Sequence, residues 1–151
     1  MELNFNWSKV NSLANLVSWF QNKERETRCI TAHNSKENDI VFGKHQPGGT
    51  GMLCRHKYLQ YARNTVKDPR GLGRWCSWLF YCNPMHITQI VVAYWPCASK
   101  TVGLKTVYQQ HMRYIQTQGP NFTPIELFDY DLSKQVKKWR RKGKKSFWWW
   151  I

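Results

Sequence analysis

Acidic residues are scarce in this chain: 9 Asp and Glu stand against 23 Lys and Arg over 151 residues, a formal net charge of +14. Such an imbalance steers polyanions and gains from counterion release, so nucleic acid is the leading partner class and an anionic lipid surface the second. Long hydrophobic runs are missing. No stretch of about 18 apolar residues occurs, so no segment is expected to span a bilayer. The opening M-E-L-N-F-N-W has no basic start leading into an apolar stretch, so no secretory signal is expected. The five cysteines (Cys29, Cys54, Cys76, Cys82, Cys97) are odd in number and form no C-x-x-C pair. That disfavours a disulfide framework and a structural zinc site and favours a reducing compartment, cytoplasm or nucleus. His33, His45, His56, His86 and His111 show no H-x-x-x-H or H-E-x-x-H spacing and read as polar surface or core residues rather than metal ligands. No G-x-S-x-G, Walker A or dinucleotide fingerprint is present, so no small-molecule cofactor is expected and spacing alone finds no catalytic centre.

What is present suits one folded domain. Hydrophobic residues make up 42%, enough for a packed core. Aromatic residues make up 15%, with nine Trp, and read mainly as core, although rings interleaved with basic residues can also stack on bases. Val10, Leu13, Ala14 and Val17 predict a helix over Asn6 to Phe20 with Asn6 as N-cap. Strands are expected at Cys29 to Ala32 and, after the Pro47-Gly48-Gly49 turn, at Thr50 to Cys54; residues 33–45 read as a loop. Gly73 to Phe80 alternates, with Trp75, Ser77 and Leu79 on one face and Cys76, Trp78 and Phe80 on the other. Asn83-Pro84 then turns it into a strand over Ile87 to Tyr94, an antiparallel hairpin ended by Pro96.

Thr106 to Thr117 has loosely helical spacing, stopped by Gly119-Pro120. The next helix has the clearest signals. Thr123-Pro124-Ile125-Glu126 is a capping box with Pro at the first helical position. Phe128, Leu132, Val136 and Trp139 form one apolar stripe, and Gly143 sits where a C-terminal cap belongs. The apolar run that follows, from Phe147, reads as the next strand of an α/β unit. From Lys134 to Lys145 there are eight Lys or Arg in twelve residues, among them Lys138, Arg140 and Arg141. They form either a solvated helix face or a phosphate-contacting one. On its residues alone the chain is a basic α/β domain that binds nucleic acid.

The order of motifs carries more. M-E-L-N-F-N-W, Q-P-G-G-T-G, D-P-R-G-L-G-R-W, V-V-A-Y-W-P-C, Y-Q-Q-H-M and F-D-Y-D-L-S-K succeed one another. This series resembles the endonuclease/exonuclease/phosphatase superfamily, the fold of deoxyribonuclease I and the apurinic endonucleases. It is most similar to versions found in retroelement-like open reading frames. The resemblance implies an α+β fold, a partial two-sheet, mostly antiparallel sandwich flanked by helices, with the active site at the sheet ends. It also implies a magnesium-dependent phosphodiesterase of a mobile element acting on nucleic acid, DNA before RNA. Glu2 takes the metal-binding place, Asn4 the polar position two residues later, and Tyr94 the place of a Tyr that approaches the scissile phosphate. Arg70 and Arg74 would lie near a nucleic-acid phosphate.

Each of these residues has a structural alternative. Glu2 beside the initiator Met is otherwise a frayed terminal residue, Tyr94 a cap on the core, and Arg74 a partner of Asp68 bracing the turn. The family's Asn-bearing first strand would precede Glu2, and its Asp-x-Asn and Ser-Asp-His stretches would follow the strand at Phe147. A full domain takes about 250 residues. Residues 1–151 are therefore expected to be a single incomplete domain without nuclease activity of its own. Its alternatives are a basic nucleic-acid-binding remnant or a gene fragment with no function.

Overall fold

The β4 strand, Trp75–Asn83, organises the molecule because its alternating side chains feed two different cores. The structure is a computed structural model that describes residues 10–23, 26–35, 48–83, 86–98, 106–118, 121–143 and 145–150. The elements run α1 (Val10–Lys23), β1 (Thr27–Ala32), β2 (Thr50–Arg55), a 3-10 turn (His56–Gln60), β3 (Ala62–Lys67), β4, β5 (His86–Ala93), α2 (Val107–Gln118), α3 (Pro124–Arg141) and β6 (Lys145–Trp150). β1 and β2 form a two-stranded antiparallel sheet, and the order in the larger sheet is β3-β4-β5-β6. Pairing is antiparallel except between β5 and β6. A parallel neighbour needs a long crossover, which α2 and α3 supply. The chain is therefore the expected two-sheet, mostly antiparallel α+β sandwich with helices outside it. No helix among the described residues is long and apolar enough to cross a membrane.

On one face of β4, Cys76 and Trp78 pack with Ile30, Ala32 and Cys54 of the small sheet and with Ala62 of β3. On the other, Trp75 joins Val91 and Ala93 of β5 against Phe128, Leu132 and Trp139 of α3. The Trp75 and Trp139 rings meet edge to face at 5.9 Å. The expected alternation and the expected α3 stripe are thus both present, and stripping a ring such as Trp139 from this layer would cost about 3–5 kcal/mol. Ser77 lies on the helix-facing side yet is buried, and it receives a hydrogen bond from Gln89 Nε2 at 3.0 Å. A third cluster joins Leu72, Ile115 and Leu127, so the turn before β4 is packed against α2 and α3.

The capping box is formed: Thr123 Oγ1 accepts from Glu126 N, and Glu126 Oε2 accepts from Thr123 N at 2.8 Å. Gly143, at φ 70°, closes α3 by donating to Arg140 O at 2.9 Å. Two elements were not expected. The 3-10 turn and β3 occupy a stretch whose strand, A-R-N-T-V-K, is an exposed edge with only Ala62 buried, so it lacks an alternating apolar signal. Gly73, expected to begin β4, instead lies before it at φ 72°. The Asn6 cap and most of the 33–45 loop lie outside the described residues, but Asn34 is inside and bridges to Leu72.

Gly73 and Gly143 separate two reasons for glycine. A Cβ on Gly73 would stand 2.5 Å from the His33 carbonyl carbon, whereas a Cβ on Gly143 would meet nothing within 4 Å. Gly143→Ala should cost about 1 kcal/mol in urea denaturation, the conformational penalty alone. Gly73→Ala should cost about 3 kcal/mol or more, because strain and backbone collision add.

Candidate functional site

The turn from Asp68 to Arg74 stands where the sheets and helices converge. Pro69 presets the backbone at the second position of a turn closed by Gly71 N donating to Asp68 O (3.0 Å). The Asp68 carboxylate accepts the backbone N–H of Arg70 at 3.0 Å, an aspartate capping its own turn. Neighbouring elements lock the turn from outside. Ser35 N donates to Gly71 O at 2.8 Å, and Thr50 Oγ1 donates to Gly73 O at 3.4 Å. His111 of α2 meets Leu72 O through Nε2 at 3.3 Å; since that carbonyl can only accept, Nε2 carries the proton. Beside it, Asn34 Nδ2 donates to Gln110 Oε1 at 3.1 Å.

Four charges form the centre. Arg74 donates to Asp68 through Nε (2.7 Å) and Nη2 (2.8 Å), and Nη2 also reaches Asp131 Oδ2 at 2.7 Å. Arg70 takes the same Asp131 as a fork, through Nε (2.5 Å) and Nη2 (3.1 Å). The side chains of Arg74 and Asp68 are 0% exposed, Asp131 is 10% exposed and Arg70 29%. Burial pulls the Arg74 pKa down, but hydrogen bonds and charge from Asp68 and Asp131 outweigh it and hold the pKa above its usual value. Arg70 is also raised, chiefly by its hydrogen bonds to Asp131.

The expectation that Arg74 lies near a nucleic-acid phosphate is corrected by this geometry. Its guanidinium is wholly enclosed and neutralised by two carboxylates, so it braces the turn, as its structural alternative held. Arg70 is only partly exposed, and its fork is committed to Asp131. Tyr94 follows β5 and is half-buried; its N–H donates to Arg74 O at 2.7 Å, which ties the strand end to the charged turn. Lys138, Arg140 and Arg141 are exposed in the last turn of α3, where cations also complement the helix dipole. Arg141 is ten residues beyond Asp131, about 15 Å along the helix. The turn arginines and the α3 cations, expected on separate grounds to meet phosphate, thus lie apart along the helix. Glu2 and Asn4 lie outside the described residues.

Magnesium needs carboxylate oxygens free to coordinate it. All four oxygens of Asp68 and Asp131 accept from arginine or its backbone, and no group of three His, Cys, Asp or Glu among the described residues could hold a metal ion. The charged turn thus offers no free carboxylate oxygen for a metal, and Glu2, the expected ligand, lies outside the described residues. Sequence reading missed Asp131 and His111 as site residues, although both lie in quoted motifs. The signal for Asp131 was an acid on the shoulder of a helix whose apolar stripe was already assigned. Comparison with protein-family models, with curated proteins and with solved structures finds no match to this chain.

Arg74→Ala should destabilise by about 3–5 kcal/mol, because it strands the buried Asp68 charge. Arg70→Ala should cost about 1 kcal/mol or less, as its partner keeps Arg74 and water. Chemical denaturation of both variants checks this ordering. A pH effect also follows. Burial, then the Arg74 charge, lowers the His111 pKa from 6.5 to about 4. Between these values the unfolded chain binds a proton that the folded chain refuses, so stability is full above pH 6.5 and is lost as pH falls toward 4. At about 1.4 kcal/mol per unit, the loss is on the order of 3 kcal/mol. The fall should shrink by that amount in His111→Gln, measured by urea titration at each pH.

Proposed function

We propose that this chain binds nucleic acid through its phosphate backbone, using the exposed basic end of α3, on a sandwich of the kind used by metal-dependent phosphodiesterases. The observation that carries the reading is how the positive charge is divided. Arg70 and Arg74 are neutralised at the charged turn, while Lys134, Lys137, Lys138, Arg140 and Arg141 are exposed on α3 and Lys142 is exposed at its C-cap. A net charge of +14 adds long-range attraction for polyanions to that local surface. Each phosphate contacted releases counterions, so affinity should fall steeply with salt.

Fluorescence anisotropy with labelled DNA at a series of salt concentrations tests this. Changing Lys138, Arg140 and Arg141 together to Glu should remove about 2–3 from the slope of log affinity against log salt. A flat salt dependence in the unaltered protein would contradict the reading. Hydrolysis is the second reading, favoured by Tyr94 standing at the strand end tied to the charged turn. It would rest on Glu2 and Asn4 with magnesium supplying a Lewis acid for the phosphoryl oxygens. Binding without cleavage is the expected result in magnesium. Cleavage of a labelled duplex that disappears in Glu2→Ala would establish the hydrolase instead.

A further inference from the structure

The outward face of α3 carries a feature that phosphate binding alone does not use. Tyr130, Lys134, Lys137 and Arg141 are spaced four, three and four apart. At about 100° per residue they fall in one stripe about 60° wide, opposite the buried Phe128, Leu132 and Trp139. All four are exposed. At the head of the stripe the Phe122 and Tyr130 rings stack, 5.6 Å between centroids and 27° between planes. These rings remain 38% and 50% exposed. The Lys134 ammonium lies 5.8 Å from the Tyr130 ring centroid.

Burial in the core does not account for this pair, since both rings are largely exposed. Phe122 immediately precedes the Thr123 N-cap, and a residue there ordinarily packs on the fourth helical residue to fix the chain's entry. That fourth residue, Leu127, is buried with Leu72 and Ile115. Phe122 rests on Tyr130, outside the core. Two stacked rings kept in solvent beside a row of cations have the chemistry of a platform for an unpaired base, whose π-face stacks irrespective of sequence.

The acidic neighbours fit the same arrangement. Glu126 is occupied by the cap, accepting from Thr123 N and Oγ1. Asp129, the residue before Tyr130, is exposed, and the cations of the stripe lie toward the Lys134 to Arg141 end. That end lies about 16 Å from Tyr130, room for a short single strand. The platform also has a defined place in the fold. Phe128, two residues before Tyr130, packs on Trp95 at 5.2 Å, and Trp95 directly follows Tyr94. The rings therefore belong to the half of α3 nearest the strand end that carries Tyr94.

We infer that α3 binds single-stranded nucleic acid, an unpaired base stacking on the Phe122–Tyr130 pair while successive phosphates meet Lys134, Lys137 and Arg141. Lys134 leaves the Tyr130 ring for a phosphate as the base arrives. The inference rests on the nucleic-acid reading above and adds the strandedness and the stacking residues. The test uses the whole chain with a single-stranded oligonucleotide carrying 2-aminopurine, and with the same oligonucleotide in a duplex. Stacking quenches the fluorescent base, so quenching by the single strand, absent for the duplex, is expected. Tyr130→Ala should weaken single-strand affinity about 5- to 100-fold with the salt slope unchanged, and Tyr130→Phe should restore it. A thermal melt confirms that both variants are folded, and Phe122→Ala provides a second, independent loss. If Tyr130→Ala and Phe122→Ala bind the single strand as the unaltered protein does, with a steep salt slope, the stacking site is wrong and the phosphate reading stands. Tighter binding of the duplex also overturns the inference. No salt-dependent binding to either form would sink both.

Discussion

Arg74, enclosed between Asp68 and Asp131, is the interaction on which the rest of this structure depends. A guanidinium in the interior is tolerated only when its charge is matched. Nε and Nη2 of Arg74 reach the carboxylates, while Nη1 is buried without a hydrogen-bond partner among the described residues. Here the turn supplies one carboxylate and α3 the other, so the charge can be matched only when helix and sheet are in register. A buried ion pair does not add net stability as a rule, but losing one partner is costly. The network thus ties α3, through Asp131, to the turn before β4. Through Leu72, His111 and Ser35 the same turn holds α2 and the end of β1. The Tyr94 strand end inherits its position from the Arg74 carbonyl.

This arrangement divides a strongly basic chain into two kinds of positive charge. With nine acidic residues in all, two of them are placed where they neutralise the two arginines of one turn. Those arginines become scaffold. The cations at the end of α3 have no such enclosure and stay in solvent. One helix therefore serves three directions: its apolar stripe packs on the larger sheet, Asp131 faces the charged turn, and its outer stripe faces whatever the protein meets. The rings of Phe122 and Tyr130 open that outer stripe, and the basic turn closes it.

Local signals in the sequence were sufficient wherever one element determines its own shape. The Thr123–Glu126 box, the α3 stripe, the Gly143 cap and the two faces of β4 follow from spacing and are all present. β3 was not legible, because an exposed edge strand with one buried alanine has no period to read. The role of Arg74 was legible only as one of two alternatives. Its decisive partner, Asp131, is 57 residues away, and no local pattern announces a pairing across that distance. The stacked rings escaped for a different reason. Nothing in composition tells an aromatic residue placed on the outer face of a helix from the many placed in the core.

We propose that this chain keeps its turn arginines as scaffold and meets nucleic acid with the outer face of α3. Arginine Nε–H signals, followed by NMR while a single-stranded oligonucleotide is added, test it most directly. The account predicts that the Arg74 signal stays in place, protected within its two carboxylates, while Arg141 and the backbone amides from Tyr130 to Arg141 shift together and saturate. A shift of Arg74 with α3 unmoved would contradict it, placing the ligand at the charged turn after all.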